Sequence, residues 1–339
     1  MEHKSPVMAS KTINTAFYEI FPIRGNTKVV GVFGHPVTHS LSPAMHNAAF
    51  VALDLPFVYV PFPVVPDAIG PALRSLPALG IVGVNLTIPH KETALPFLDE
   101  ITQEARRVGA VNTVHCVDGK LLGDNTDGRG FLQPLLEVIA TGVSMRGQTV
   151  VVLGAGGAAR SVVHTLVSEG AHVVLANRTQ ERAERLAWEV LRVQKATAEN
   201  SAGYSNSSSS SSFSIGTPSV QVVTWDETPA SQNEMTDALK RARVLVNTTR
   251  IGMVPESTGL PPIPLDALTP GLLVYDLVYN PIETRLLQEA RRRGCETLTG
   301  VKMLVYQGAA AFERWTGVWP PTDIMEQAVL EGLRQKAKE

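Results

Sequence analysis

VVVLGAGGAARSVVHTL, residues 150–166, is the stretch that decides the fold. An apolar, β-branched run ends in glycines and passes without a break into a helical pattern. The glycines have the spacing Gly154-x-Gly156-x-x-Ala159. Gly154 permits a tight turn, Gly156 lets the backbone approach a pyrophosphate, and Ala159 lets the helix pack closely on the strand. The helix N-terminus then turns free N–H groups and the positive end of its dipole toward phosphate. Such a glycine pattern alone also arises for purely structural reasons. The strand–turn–helix context is what marks this one as a dinucleotide site.

The next strand selects the dinucleotide. NAD-binding units end it in Asp or Glu, about 20 residues after the glycines, to hold the ribose 2′-hydroxyl. Here HVVLAN (172–177) ends in Asn177, followed by Arg178 and Thr179, with Arg182 one helical turn further on. Two guanidinium groups and a hydroxyl suit charge-assisted bonds to a 2′-phosphate, so the expected cofactor is NADP. Arg182 also reads as part of the solvated face of a charged helix, whereas Arg178 stands at the strand end itself.

Outward from this motif the chain alternates short strands with helical patterns, the mark of an α/β fold. A first series holds VVGVFG (29–34), a helix begun by Ser42 as N-cap and Pro43, FVYVPF (57–62), GVNLTI (83–88), AVNTV (110–114) and KLLGDN (120–125). A second series continues from the glycine motif through strands at 172–177, 220–225, 244–249 and 273–278. Two helices close the chain, over about 301–315 and 322–337. Residues 197–219 are serine-rich, with too few apolar groups to offset their ordering entropy, and read as a disordered surface insertion. Residues 1–27 read as a flexible N-terminal extension.

Composition narrows the function classes. The 339 residues suffice for two domains, 44% of them are hydrophobic, and the net charge of −2 carries no signal for nucleic acid. Cys116 and Cys295 stand far apart, which fits a reducing compartment rather than a disulfide framework. No apolar run reaches the roughly 20 residues of a membrane span, and the N-terminus lacks a signal-peptide core. A cytoplasmic protein without membrane or nucleic-acid partners is expected; a homodimer is compatible with the sequence.

In the first series, polar residues gather where strands end, which is where open α/β sheets bind ligands. Ser40 and Ser42 lie in HSLSP, Asn85 and Thr87 alternate along one strand face, Asn112 ends another strand, and Asp127 ends GDNTD. Singly these are ordinary cap and turn residues. Together they describe hydroxyls and amides around a small polyhydroxylated ligand. His35 and His39 have i, i+4 spacing, but Pro36 breaks the geometry and no cysteine or H-E-x-x-H accompanies them, so no metal is expected. Lys91 follows the strand in VNLTIPHK (84–91), at the start of a short helix. The helix dipole and partial burial both disfavour its charged form, as a proton-transfer group requires. Asp127 would orient it and oppose that tendency, and His90 reads as a packing group.

GHPVTHSLSPAMHNAAF, NLTIPHKETALPFLDE, GAVNTV, GDNTDG, GAGGAAR, NRT and YDLVYNPIET…GVKMLVYQGAAAF occur in this order. Over about residues 28–320 the chain closely resembles the shikimate dehydrogenase family, including relatives that accept quinate. The resemblance implies an N-terminal substrate-binding domain and a Rossmann-type NADP-binding domain with a cleft between them. The first would comprise 28–127 plus 301–339, the second 128–300. It further implies reversible NADP-dependent reduction of 3-dehydroshikimate to shikimate, in chorismate and aromatic amino acid biosynthesis, with Lys91 and Asp127 as the catalytic pair. Ser40, Ser42 and Tyr279 match residues that hold the substrate carboxylate, and Asn85, Thr87, Asn112 and Gln307 match those that bind ring hydroxyls. Gly154, Ala155, Gly156, Gly157 and Ala158 match the pyrophosphate loop, and Asn177, Arg178, Thr179 and Arg182 the 2′-phosphate site. Thr248, Gly300 and Met303 fall on the cofactor side.

Three residues depart from the family pattern: Arg250, Lys302 and Arg285 stand where a small residue or proline, a glycine and a proline are usual. Arg250 and Lys302 bear on the cofactor side. Two alternatives stay open at this point: a quinate/shikimate dehydrogenase using NAD or both cofactors, and a non-catalytic NADP-binding regulator of the same fold.

Overall fold

The computed structural model describes residues 23–139, 144–202 and 218–336, with backbone alone over 197–202. Most of the expected N-terminal extension, and 203–217 of the serine-rich segment, lie outside the described residues.

The strands sort into two six-stranded sheets, one from each series. The first contains β1 (Lys28–Gly34), β2 (Phe57–Pro63), β3 (Ile81–Leu86), β4 (Glu100–Ile101), β5 (Thr113–Val117) and β6 (Lys120–Asp124), in the order β2-β1-β3-β5-β6-β4. The second contains β7 (Thr149–Leu153), β8 (His172–Asn177), β9 (Val220–Thr224), β10 (Val244–Asn247), β11 (Leu273–Asp276) and β12 (Glu296–Thr299). Its order, β12-β11-β10-β7-β8-β9, with every pairing parallel, is that of a doubly wound dinucleotide-binding sheet.

Eleven helices are described: α1 (Ser42–Ala52), α2 (Ile69–Ser75), α3 (His90–Thr93), α4 (Gln103–Val108), α5 (Asp127–Val138), α6 (Gly157–Ser168), α7 (Gln180–Ala202), α8 (Pro229–Arg241), α9 (Arg285–Arg292), α10 (Gly300–Thr316) and α11 (Thr322–Lys336). α7 runs to Ala202, so the first six residues of the serine-rich stretch continue a helix. Ser42 is the first residue of α1 rather than its cap; its N–H donates to Ser40 Oγ at 3.3 Å.

The first sheet departs from the expected simple alternation. β5 is antiparallel to both β3 and β6. The turn between β5 and β6 is Asp118-Gly119, both at positive φ, which is the two-residue hairpin chemistry of a D-G pair. The strand expected at 110–114 therefore starts three residues later, at Thr113. β4 and β12 are short strands that the sequence pattern did not single out.

α10 joins the two regions. Val301, Val305, Ala309, Phe312 and Trp315 enter the core formed by β1, β2, α1 and α11, while Met303 packs against the core of the second sheet. α5 lies alongside it, with Phe131, Leu135 and Ile139 in the second core. Gly130 permits their contact: a Cβ there would fall 2.5–2.8 Å from Gln307, including its backbone. Both the start of α5 and Gln307 are thereby held beside the first sheet.

Candidate active site

The antiparallel turn of β5 explains how Asn112 reaches the pocket. Because β5 runs against β3, its beginning lies beside the end of β3, and Asn112 O accepts from Leu86 N–H at 2.8 Å. Asn112 also donates its N–H to Asp124 O at 3.0 Å, so its backbone is pinned from both sides.

A buried amide network extends from this point. Asn112 Nδ2 donates to Asp127 Oδ1 at 2.8 Å and to Thr126 Oγ1 at 2.9 Å, with Gln307 Oε1 at 3.4 Å. Asn112 Oδ1 accepts from Thr126 N–H at 2.8 Å and from Thr113 Oγ1 at 3.0 Å. Asn85 Nδ2 donates to Asn112 O at 3.2 Å and to Thr113 Oγ1 at 3.1 Å. Asn85 Oδ1 accepts from the Tyr59 hydroxyl at 2.8 Å. Buried polar groups of this kind must be paired or they cost free energy, and paired they rigidify the site.

Lys91 Nζ meets Asp127 Oδ2 at 2.5 Å, the lysine side chain 31% exposed and the aspartate 8%. Asp127 is the first residue of α5, and its N–H donates to Asn125 Oδ1 at 3.1 Å. Lys91 O accepts from Val111 N–H at 2.8 Å, which ties α3 to the segment carrying Asn112. His90 is fully buried, with Nε2 2.8 Å from Val64 O, and anchors α3 to the chain beyond β2. That contact is a packing role. His35 and His39 are exposed and His46 is buried; no group of three or more metal-ligating side chains occurs among the described residues.

Thr87 lies just beyond β3, half-buried, its methyl against Gly34, which has no room for a Cβ on that side. Ser40 and Ser42 are half-buried before and at the start of α1. Tyr279 follows β11 yet packs against the first region's core, and burial raises its hydroxyl's pKa above the ordinary tyrosine value. Ser40, Ser42, Asn85, Thr87, Lys91, Asn112, Asp127, Tyr279 and Gln307 thus come from segments far apart in sequence. Tyr59, Thr113 and Thr126 belong to the same network but escaped the sequence reading. Tyr59 and Thr113 look like ordinary strand residues, and Thr126 was visible only as a neighbour of Asp127 in GDNTD.

The second sheet places its glycine turn at the switch point between β7 and β10. Gly154 has φ +105°, and a Cβ there would lie 2.7 Å from Thr248 Oγ1, so this position needs glycine on both counts. Thr248 Oγ1 donates to Leu153 O at 2.7 Å, which holds the two strand ends together. Ala155 N–H donates to Asn177 Oδ1 at 3.1 Å, linking the turn to the end of β8. Ala159 is fully buried, as close helix–strand packing requires, and Ala158 is half-buried beside it.

Whether a dinucleotide phosphate fits is answered by the space. A Cβ added at Gly156 or Gly157 would meet nothing within 4 Å, so the turn opens onto free volume at the N-terminus of the twelve-residue α6. Arg178, Thr179 and Arg182 are exposed, and neither arginine is engaged in an ion pair among the described residues. The donor set suits a phosphorylated ribose. Gly300 backs directly onto the Leu277 carbonyl with no room for a Cβ, so its smallness seats α10 against the end of β11. Of the departures, Lys302 pairs with Glu326 at 2.6 Å and Arg285 donates to Thr258 O at 3.0 Å, while Arg250 is exposed.

A second buried network lies at the ends of β10 and β11. Asp276 accepts from Asn247 Nδ2 at 2.9 Å, Val278 N–H at 3.1 Å and Thr284 Oγ1 at 2.6 Å. Asn247 Oδ1 in turn accepts from Thr249 N–H at 3.0 Å. Burial pushes the Asp276 carboxyl up to about 6, with the three hydrogen bonds opposing the shift.

Comparison with known proteins agrees with this geometry. Residues 32–114 match the shikimate dehydrogenase substrate binding domain, 137–204 the shikimate / quinate 5-dehydrogenase family, and 300–330 the shikimate 5'-dehydrogenase C-terminal domain. A shikimate dehydrogenase (NADP(+)) of Methanopyrus kandleri is 45% identical over 92% of this chain and 98% of its own. The chain belongs to the shikimate dehydrogenase family. The Geobacillus kaustophilus shikimate dehydrogenase (NADP(+)) is 43% identical over 91% of this chain and 99% of its own. The Thermus thermophilus shikimate 5-dehydrogenase, solved in complex with NADP(H) and shikimate, superposes with a TM-score of 0.72 at 37% identity, covering 90% of this chain and 99% of that one. These relatives are oxidoreductases linked to NADP, and the two-region α/β architecture is shared with them. No helix among the described residues is long and apolar enough to cross a membrane.

Proposed function

We propose that this chain catalyses the reversible NADP-dependent reduction of 3-dehydroshikimate to shikimate, with Lys91 and Asp127 moving the proton. The observation that carries the reading is the Lys91–Asp127 contact at 2.5 Å, closed on one side by the Asn112 amide network. A non-catalytic binding protein has no need for a lysine held in this way.

In the oxidative direction the substrate hydroxyl gives its proton to Lys91 Nζ as its carbon gives up a hydride; in the reductive direction Lys91 returns the proton to the carbonyl oxygen. NADP, when bound, supplies or accepts that hydride. Asp127 completes the proton-moving pair: Oδ2 faces Lys91 Nζ and shares the proton with it, while Oδ1 is held by Asn112. Ser40, Ser42 and Tyr279 would take the carboxylate, and Asn85, Thr87, Asn112 and Gln307 the ring hydroxyls. The backbone of 154–158 would hold the pyrophosphate, with Thr248 beside that turn, Asn177, Arg178, Thr179 and Arg182 on the 2′-phosphate, and Gly300 and Met303 toward the nicotinamide. The same reading assigns 28–127 with 301–339 to substrate binding and 128–300 to NADP. It also places the enzyme in the cytoplasm, in keeping with the free thiols of Cys116 and Cys295.

Steady-state assays pairing shikimate or quinate with NADP+ or NAD+ test the proposal. The highest kcat/KM is expected for shikimate with NADP+. A higher value for quinate with NAD+ overturns the substrate and cofactor assignment, and no turnover despite binding of both ligands overturns the enzyme.

A further inference from the structure

Tyr59 lies on β2, 2% exposed, and bears none of the roles assigned above. Its hydroxyl donates to Asn85 Oδ1 at 2.8 Å. One buried oxygen therefore holds an amide assigned to the ring of the ligand. Two consecutive residues of α1 hold it there. Asn47 clamps the Tyr59 backbone, Oδ1 accepting from its N–H at 2.8 Å and Nδ2 donating to its carbonyl at 3.1 Å. His46 stacks flat on the Tyr59 ring, with centroids 4.3 Å apart and planes 2° apart. Both His46 ring nitrogens are buried without a hydrogen-bond partner, and burial pushes the imidazole down to about 3, so it serves as a neutral aromatic platform.

The consequence lies in the orientation of Asn85. Both of its N–H donors are used within the protein, on Asn112 O and Thr113 Oγ1. Its oxygen takes the Tyr59 hydroxyl on one lone pair, which leaves the other for a ligand. An amide held this way offers the pocket an acceptor and no donor, so it reads a hydroxyl that donates.

We propose that Tyr59 is a positioning residue for substrate recognition: its hydroxyl fixes the Asn85 amide as an acceptor for a ligand hydroxyl. The inference rests on the proposed substrate role of Asn85. Tyr59→Phe keeps the ring and the His46 stack and removes only the oxygen. It should raise KM for shikimate about tenfold, the scale of one buried hydrogen bond, with kcat and KM for NADP+ within about twofold. In an Asn85→Ala background the same change should have less than about a twofold effect, because the group it orients is gone.

An unchanged shikimate KM in Tyr59→Phe, alongside a raised KM in Asn85→Ala, overturns the Tyr59 role and leaves the substrate reading standing. An unchanged KM in Asn85→Ala removes the substrate reading itself. A parallel loss in shikimate KM, NADP+ KM and melting temperature would show Tyr59 to be structural and likewise overturn the proposal. Should Tyr59→Phe fail to fold, the inference is read from Asn85→Asp, which keeps the acceptor at the Tyr59 side: it should retain shikimate binding better than Asn85→Ala, and equal losses overturn it.

Discussion

Around Asn85 and Asn112 the amide groups are committed to partners inside the protein, whereas Arg178 and Arg182, at the end of β8, stand exposed without a carboxylate partner among the described residues. The first region is a finished lattice of short, directed bonds, and the second is an open turn flanked by free charge. On the proposed function the difference follows from the two ligands. A small polyol presents hydroxyls that only fixed donors and acceptors can tell apart, because each bond is directional and an unpaired buried group is costly. A phosphate presents concentrated charge, which backbone N–H groups and solvated guanidinium ions attract without a rigid enclosure.

The contrast breaks most visibly at Lys91. Lys91→Ala should lower kcat by about a thousandfold, the scale of a lost proton-transfer group, while the dissociation constant for NADP+ stays nearly unchanged. A near-normal kcat, or a comparable loss of cofactor binding, would erase the division between the two regions.

Asp276 carries the titratable group of the buried network at the ends of β10 and β11. Its carboxyl is raised by burial from 3.8 to about 6. The native state therefore holds the proton more tightly than the unfolded chain, and the associated stability is complete below pH 3.8 and lost as pH rises through about 6. That window corresponds to about 3 kcal/mol. The melting-temperature difference between the wild type and Asp276→Asn should shift against the wild type as the pH is raised across that window. A difference that is flat with pH would mean that this carboxyl is not raised.

Arg178→Ala should weaken NADP+ about tenfold to a hundredfold, with NAD+ changed little, as for one lost charge-assisted contact. Equal losses for the two cofactors in parallel KM measurements would remove the 2′-phosphate role. The smallest effect is expected at Lys302, whose ion pair with Glu326 is partly solvated. Lys302→Ala should cost no more than about 1 kcal/mol in chemical denaturation and leave NADP+ affinity unchanged. A marked fall in affinity would bring this family departure back to the cofactor side.

Local rules made much of the second region legible. Gly154-x-Gly156-x-x-Ala159 after an apolar strand, and Asn177-Arg178-Thr179 after the next, act within a few residues of one another, and β7, α6 and β8 form where the pattern puts them. The first region was legible in its residues but not in its wiring. Asn112 appeared to end a strand, whereas it precedes one that runs antiparallel, through a hairpin signalled only by Asp118-Gly119. Tyr59 sat unnoticed in FVYVPF because a buried tyrosine in a strand looks apolar until its hydroxyl has a partner.

By itself, then, the sequence determined the parallel dinucleotide sheet, the phosphate turn and the side chains available for chemistry, since each depends on propensity and spacing along a short piece of chain. Tertiary structure alone decided which of those side chains meet. Lys91 and Asp127 are 36 residues apart, Asn112 and Gln307 are 195 apart, and Gly130 brings α5 against α10 so that they converge. Contacts over such separations depend on sheet direction and helix packing, which no local pattern encodes.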